Sequence, residues 1–505
     1  MAQHILAIDQ GTTGSTALVM DLNGVTLGRA NREFTQHFPK PGWVEHDPDE
    51  IWESVGGAVR EAMREARVIG EEIAAIGITN QRETTLLWDR DSGAHLHHAI
   101  VWQDRRTASL CASLKAAGHE AAVRERTGLV LDPYFSGTKL RWLLDQVPGA
   151  RARGNAGELA FGTIDSFLVW KLAGADARAP HVTDVTNASR TLLMNLHTRA
   201  WDAELCELLQ VPQAVLPRIV PSAGKVGVTR GLDFLPDGVP ICGIAGDQHA
   251  ALFGQGCLTR GQVKCTYGTG AFVVMNTGSK PVRSRFGLLS TIGWQIGDEV
   301  VYALEGSAFI AGAAVQWLRD GLGLIASAQE TEALARSVPD AGGVSFVPAL
   351  AGLGAPYWDP EARGTICGLT RGTTTAHLVR ATLEAIALQV TDLVQAMGDD
   401  LGAALELMRV DGGAAANDLL MQLQSDLAGL TVERPTDLET TARGAAMLAA
   451  IGVGLFKDAE DATKMVKIQD RFRATIDASE RERRLAEWHN SIRRARGQAI
   501  ESPLA

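Results

Sequence analysis

Two short stretches of this sequence combine glycine, threonine and a preceding apolar run in a way that suits phosphate. Asp9-Gln10-Gly11-Thr12-Thr13-Gly14 follows Ile5-Leu6-Ala7-Ile8, and Thr266-Tyr267-Gly268-Thr269-Gly270 follows Val263-Lys264-Cys265. Glycine lets the backbone approach an anion closely, successive amides converge on it, and threonine hydroxyls add donors. One such turn is most often simply a tight hairpin. Two of them, one opening each half of the chain, make that explanation much weaker. Asp9 adds a carboxylate at a strand end. It could hold Mg²⁺, usually through water, because the ion dehydrates reluctantly. Neither GxxxxGK[ST] nor GxGxxG occurs, so the P-loop and the dinucleotide fingerprint are both excluded.

Three further clusters carry chemistry. Gly246-Asp247-Gln248 ends an apolar run near the middle of the chain. A carboxylate there sits where α/β sheets place their ligands, and it could take a proton from a hydroxyl nucleophile. Asn80-Gln81-Arg82-Glu83-Thr84 places two opposite charges directly after another apolar run. A surface ion pair would explain most such neighbours, but not the crowding of polar residues behind a buried strand. Asp411-Gly412-Gly413-Ala414-Ala415-Ala416-Asn417 offers small residues against which a flat adenine could slide, or else an ordinary strand–helix turn. His95, His97 and His98 lack partners at a fixed spacing, so no metal site is expected from them.

These residues need elements to position them. Ile5–Ile8 and Thr16–Met20 read as the arms of a hairpin around the first turn. Asp47-Pro48-Asp49-Glu50 opens a helix, with Asp47 as cap, Pro48 at the first helical position and Glu50 completing a capping box. Strands are expected at Ile73–Ile78, Thr84–Trp88, Val239–Ala245 and Leu407–Val410. A second strand–turn–strand unit covers Val263–Met275. His377–Met397 is a helix with Val379, Leu383, Ile386, Val390, Leu393 and Met397 on one face. The charge-rich tail, Ala478–Ile500, reads as a solvated helix. The chain therefore looks like two α/β halves, each opening with a Gly/Thr hairpin and joined near residue 250.

Composition is consistent with this. The chain has 505 residues, 46% apolar and 21% charged, enough for two cores and against disorder. Forty-eight basic and 59 acidic side chains leave a net charge of −11, a poor balance for binding nucleic acid. Six cysteines without a CxxC read as reduced thiols. Gly444–Phe456 is too short to span a bilayer and reads as a packed helix, and no signal peptide is visible, so a soluble, cytoplasmic protein is expected.

Longer motifs resemble a known family. Ala7–Thr13, Pro41-Gly42-Trp43-Val44-Glu45-His46-Asp47-Pro48, Gly77–Thr84, Asp132-Pro133-Tyr134-Phe135-Ser136-Gly137-Thr138-Lys139, Gly246–Gln248 and Thr266–Gly270 are together similar to the FGGY carbohydrate kinases, and in particular to members acting on glycerol. Both family signatures are present, one running from Tyr134 to Gln146 and the other from Gly364 to Glu384. The resemblance runs from Ile5 to about Trp488. It implies two actin-like (ribonuclease-H-like) domains flanking a cleft. Residues 1–252 would carry the polyol site and the first phosphate turn, and residues 253–505 the nucleotide site. It implies ATP- and Mg²⁺-dependent phosphorylation of glycerol to sn-glycerol 3-phosphate, in a homo-oligomer (dimer or tetramer). Arg82, Glu83, Trp102, Tyr134, Asp247, Gln248 and Phe272 would contact the polyol, with Asp247 as general base. Thr12, Thr13, Gly14, Thr269, Gly312, Gln316, Gly413 and Asn417 would line the nucleotide site, and Asp9 would organise Mg²⁺. Other sugar kinases of the family, of xylulose or gluconate type, and an actin-like ATPase without a polyol substrate are the competing readings. Three departures stand out. Thr16 replaces a common Arg, His249 replaces a usual Gln, and Arg230–Gly238 does not match the Gly-rich loop through which some members bind fructose 1,6-bisphosphate.

Overall fold

The computed structural model describes residues 3–498. His4–Gln10 and Gly14–Met20 pair antiparallel around the first turn, and Thr26–Glu33 extends the pair. On the other side Ile73–Asn80 runs parallel to His4–Gln10, and Pro240–Gly246 runs parallel to Ile73–Asn80. The second half repeats the plan. Val263–Tyr267 and Ala271–Gly278 form the hairpin, and Glu299–Ala308 lies antiparallel beside it. Leu407–Asp411 and Thr431–Pro435 then follow in parallel. Both halves belong to one thirteen-stranded sheet, joined by the single pair Ala223–Ile296. The expected α/β molecule of two like-built halves is what the chain forms.

Both faces of each half-sheet are covered, which is why the strands read as unbroken apolar runs. Leu6 and Ile8 pack under the helices Pro48–Ala66 and Ile164–Leu172. Ile5 and Ala7 face the opposite way, into a core shared with Phe253, Val274, Trp294 and Ala303 of the second half. Strand alternation then decides where the polar residues go. Asp9 falls on the face of Ile5 and Ala7. Lys264, Thr266 and Phe272 fall opposite the outer-core residues Cys265, Tyr267 and Val273, and Glu305 shares a face with Ala303. The two half-sheets thus turn a small set of polar side chains toward each other across an otherwise apolar seam.

Helix Thr440–Gly452 seals that seam. It belongs to the second half by sequence, yet it lies on the first half's strands Ile73–Asn80 and Pro240–Gly246 and crosses helix Asp247–Gly254. Glycine permits the approach. A Cβ on Gly77 would strike the Ala445 carbonyl, one on Gly243 the Ala449 amide, and one on Gly444 the Ala250 carbonyl. The apolar Gly444–Phe456 stretch is accordingly a packed helix, and no described helix is long and apolar enough to cross a membrane. The passage between halves near residue 250 is not a linker, because helix Asp247–Gly254 spans it.

Two local expectations change. Asp47 does cap its helix, accepting from the Asp49 amide, but Glu50 does not close a capping box; its carboxylate accepts from the Thr35 amide instead. The terminal helix, Ala478–Ala495, is not wholly solvated. Leu485, Trp488 and Ile492 pack into the second core, and Trp488 donates to Asp392 at 2.6 Å. Residues 499 and 500 lie outside the described chain. All six cysteines are free, five of them buried.

Candidate active site

The parallel strands of the first half end at Asn80 and Gly246, and their next residues form the centre of the site. Asn80 and Asn187 exchange paired amide hydrogen bonds of 3.0 and 3.1 Å, and the Gly246 amide donates to the Thr186 hydroxyl at 2.9 Å, so both strand ends are fixed. Glu83 adopts a left-handed backbone, φ 61°, and the Thr84 amide donates back to the Arg82 carbonyl at 2.7 Å. A non-glycine residue in that region costs on the order of 1–3 kcal/mol and marks sites that the surroundings over-determine.

Arg82 Nε lies 3.0 Å from Asp247 Oδ1. The same guanidinium grips both oxygens of Glu305 and reaches the Tyr134 hydroxyl at 3.4 Å. Glu83 pairs with Arg190 at 2.6 Å. Burial alone would lower the Arg82 pKa, but Glu305, Glu83 and their neighbours hold it well above its ordinary value, so it stays charged. Trp102 stands edge-on to Tyr134 with ring centroids 5.6 Å apart. Its indole N–H donates to the Thr12 hydroxyl at 3.0 Å, tying the aromatic wall to the first turn. Asp247 heads its helix, accepts from the Gln248 amide at 2.6 Å, and keeps 32% of its side chain exposed. Gln248 accepts from Lys264, which also donates to Thr266 at 2.9 Å. Phe272 pairs with Thr266 and Ser307 across the second hairpin. The structure thus joins Arg82, Glu83, Trp102, Tyr134 and Asp247 into one cluster, with Gln248 and Phe272 linked through Lys264 and Thr266.

Asp9 is the electrostatic hub. Burial first, and then the charges of Asp247 and Glu439, push its carboxyl up to about 8. A carboxylate so placed is a hard oxygen donor of the kind a divalent cation takes. The first turn is braced from behind. The Gly11 amide donates to Gly14 O at 2.9 Å, and Gln36 donates to the Thr12 carbonyl at 3.0 Å. Gln36 in turn accepts from His46 at 2.6 Å, and His46 faces Gln81 at 3.3 Å. Thr13 accepts from the Phe34 amide. The second turn is held by a helix start. Thr269 O accepts from the amides of Ala311 and Ala313, and Gly268 O from that of Gly312 at 3.0 Å. Gln316, at the end of that helix, is exposed. Gly413 is exposed with open space around it. Asn417 is already engaged, capping helix Asp418–Ala428 through the Leu420 amide and donating to Thr331 at 3.2 Å.

The departures have physical consequences. Thr16 faces Asp9 across the first hairpin and accepts from Asn31 at 2.8 Å, so a neutral hydrogen-bonded pair occupies that position. His249 is buried against Thr291 at 3.2 Å, and burial and then Arg82 hold it well below its ordinary pKa, so it brings no positive charge to Asp247. Arg230 is spent on Asp176 and the Ala173 carbonyl. The three histidines acquire partners that the sequence did not announce. His95 lies 3.9 Å from Asp49, and together with Asp47 the three place their polar atoms within 4.8 Å of one another.

Arg190, Glu305 and Lys264 were not anticipated. Each is buried and ionisable; for Glu305 and Lys264 the signal in the sequence was a lone charge inside an apolar stretch, as in Val300-Val301-Tyr302-Ala303-Leu304-Glu305, whereas Arg190 sits in the polar turn Asn187-Ala188-Ser189-Arg190-Thr191.

His46 provides a test of the bracing. Burial, and then His37, hold it down at about 3, against 6.5 in the unfolded chain. Its stabilisation is therefore complete above pH 6.5 and is lost as the pH falls toward 3. At pH 5 the loss from this group is about 2 kcal/mol. Urea unfolding of His46→Gln at pH 7 and pH 5 should show a smaller loss than wild type by about that amount.

Residues 4–254 match the N-terminal domain of the FGGY family of carbohydrate kinases, and residues 263–453 its C-terminal domain. Glycerol kinase of Alkalilimnicola ehrlichii is 57% identical over 98% of this chain and 99% of its own. That of Myxococcus xanthus is 56% identical over 98% and 99%. Plasmodium falciparum glycerol kinase, solved with ADP, superposes with a TM-score of 0.92 at 35% identity, covering 97% of this chain and 98% of that one. Gluconate kinase from Lactobacillus acidophilus, at 21% identity and a TM-score of 0.87 over 98% of this chain and 99% of its own, shares the fold. The chain belongs to the FGGY family of carbohydrate kinases.

Proposed function

We propose that the chain transfers the γ-phosphoryl group of ATP to glycerol, giving sn-glycerol 3-phosphate and ADP. The observation that carries this is the Arg82–Asp247 contact of 3.0 Å inside a cluster that also holds Glu83, Tyr134 and Trp102. Charged and hydroxyl groups there match a small, fully hydroxylated acceptor, and the relatives named glycerol kinase support that choice. The division into residues 1–252 and 253–505, with the acceptor on the first and most nucleotide contacts on the second, is part of the same reading.

In this reading Asp247 accepts the proton of one primary hydroxyl while its oxygen attacks the γ-phosphorus and the bond to the β-phosphate oxygen breaks. Arg82 Nε holds the carboxylate in place. Arg82, Glu83 and the Tyr134–Trp102 wall orient the remaining hydroxyls, so an acceptor lacking one leaves a buried polar group unpaired, at a cost of about 1–3 kcal/mol. The amides and hydroxyls of Gly11–Gly14 and Gly268–Gly270 receive the phosphates from both halves. Positioning and charge neutralisation dominate phosphoryl transfer, and closure of the two halves would exclude water as a competing acceptor. A divalent cation, Mg²⁺ in our reading, would be held by the Asp9 carboxylate, a hard oxygen donor, and would neutralise phosphate charge.

If Asp9 acts through a water of that ion, Asp9→Asn should raise the Mg²⁺ concentration for half-maximal rate by about 10–100-fold, the usual range for an outer partner of a metal. A Mg²⁺ titration at saturating ATP and glycerol checks this. With Arg230 committed to Asp176, fructose 1,6-bisphosphate is expected to inhibit weakly or not at all in a steady-state assay. The reading itself is tested by ADP release with glycerol, xylulose, gluconate or no acceptor. Glycerol should give the highest kcat/KM. A higher value for xylulose or gluconate would move the chain to another branch of the family, and turnover indifferent to every acceptor would make it an ATPase.

A further inference from the structure

Behind the acceptor cluster, Glu83, Arg82, Glu305 and Arg190 close a ring of alternating charge. Arg82 Nε lies 3.9 Å from Glu83, and Arg82 holds Glu305 through both terminal nitrogens. Arg190 Nη2 lies 3.0 Å from Glu305, and its Nε lies 2.6 Å from Glu83. None of the four side chains is more than 3% exposed. Two positive and two negative groups balance, which is the condition for keeping such charges out of water. Arg190 and Arg82 hold the Glu305 carboxyl well below its ordinary range against the opposing effect of burial. Glu305 comes from strand Glu299–Ala308 of the second half, 223 residues from Arg82.

We propose that Glu305 and Arg190 are positioning residues for the acceptor site. This rests on the reading of Arg82, Glu83 and Asp247 as acceptor-binding groups. Glu305 fixes the Arg82 fork, so that Arg82 Nε remains free for Asp247. Arg190, fixed by the same carboxylate, holds Glu83. Without Glu305, Arg82 and Arg190 face each other with Glu83 as their only ring carboxylate, and both acceptor-binding groups shift. The second half thereby supports the acceptor pocket through Glu305, beyond the Phe272 contact expected from the resemblance.

The experiment measures KM for glycerol, kcat, Kd for ADP and thermal unfolding for wild type, Glu305→Gln, Glu305→Asp and Arg190→Lys. Misplacing a reacting group by about 1 Å can cost about 10²-fold. Glu305→Gln is therefore expected to lower kcat/KM for glycerol by about that factor, mostly through KM, with ADP binding within about twofold of wild type. Glu305→Asp keeps the charge and should recover part of the loss. Arg190→Lys keeps its charge but cannot bridge two carboxylates, and should raise KM for glycerol as well. It provides the reading if Glu305→Gln does not fold. An unchanged glycerol KM in folded Glu305→Gln or Arg190→Lys overturns the proposal. An equal loss of glycerol and ADP binding also overturns it, because that pattern marks a residue serving only the fold. If wild type itself does not phosphorylate glycerol, the proposed function fails instead.

Discussion

Asp247→Asn should lose about 10²–10⁴-fold in kcat, the usual effect of removing a general base, while binding ADP as wild type does. The amide keeps the shape of the carboxylate and can still accept from the Gln248 amide, but it cannot take a proton from an attacking hydroxyl. In the proposed reading the nucleotide contacts come from other segments, the two glycine turns and the Asp411–Asn417 stretch, so ADP affinity should hold. The side chain is 32% exposed, so its exchange should cost little stability. Steady-state kinetics, ADP titration and a melting curve separate the roles. A variant keeping more than about a tenth of wild-type kcat, far short of the loss expected for a base, would show that Asp247 only supports the strand–helix turn.

Gly444→Ala should destabilise the protein by about 1–2 kcal/mol, the overpacking less the helix gain, and lower kcat. Two effects compete. Alanine favours a helix over glycine by about 1 kcal/mol. Its Cβ, however, would meet the carbonyl of Ala250 far inside any real contact, and the neighbouring Ala250 carbonyl carbon at 2.6 Å. The obstacle is backbone, which cannot rotate away as a flexible side chain can, and overpacking of this kind costs about 1–3 kcal/mol or more. Helix Asp247–Gly254 must therefore move away from helix Thr440–Gly452. Asp247 is the first residue of the displaced helix, so the geometry at Arg82 changes with it. Urea unfolding with parallel measurement of kcat checks this. Stability within about 0.5 kcal/mol of wild type, the spread of ordinary surface changes, would mean that the crossing is looser than described.

The two hairpins were legible because a Gly/Thr turn separates two apolar runs in each half, and helix Thr375–Leu401 because its apolar residues recur at helical spacing. Arg82, Glu83 and Asp247 were legible as polar residues standing directly behind buried strands. Their partners were not. Glu305 and Arg190 are remote in sequence, and a lone charge, in the apolar strand of Glu305 or the polar turn of Arg190, gives no hint of which opposite charge it will meet. Lys264 was passed over for the same reason. Glu50 shows the opposite failure, in which a local pattern suggested a capping box while a tertiary contact with Thr35 claimed the side chain. In the last helix the apolar stripe Leu485, Trp488 and Ile492 was present in the spacing, but the density of charge around it obscured it. The crossing of helix Thr440–Gly452 onto the other half's sheet follows from Gly77, Gly243 and Gly444 acting together, and no single segment reveals it.

In the proposed reaction Asp247, held by Arg82, directs the γ-phosphoryl group of ATP onto glycerol. The most direct measurement is the product itself. Wild type and Asp247→Asn, with ATP, Mg²⁺ and ¹³C-labelled glycerol, are followed by ¹³C and ³¹P NMR. Wild type is expected to form glycerol 3-phosphate in step with ADP, and the variant to do so at least about 10²-fold more slowly. Release of inorganic phosphate with unmodified glycerol, or an equal yield from both proteins, would contradict it.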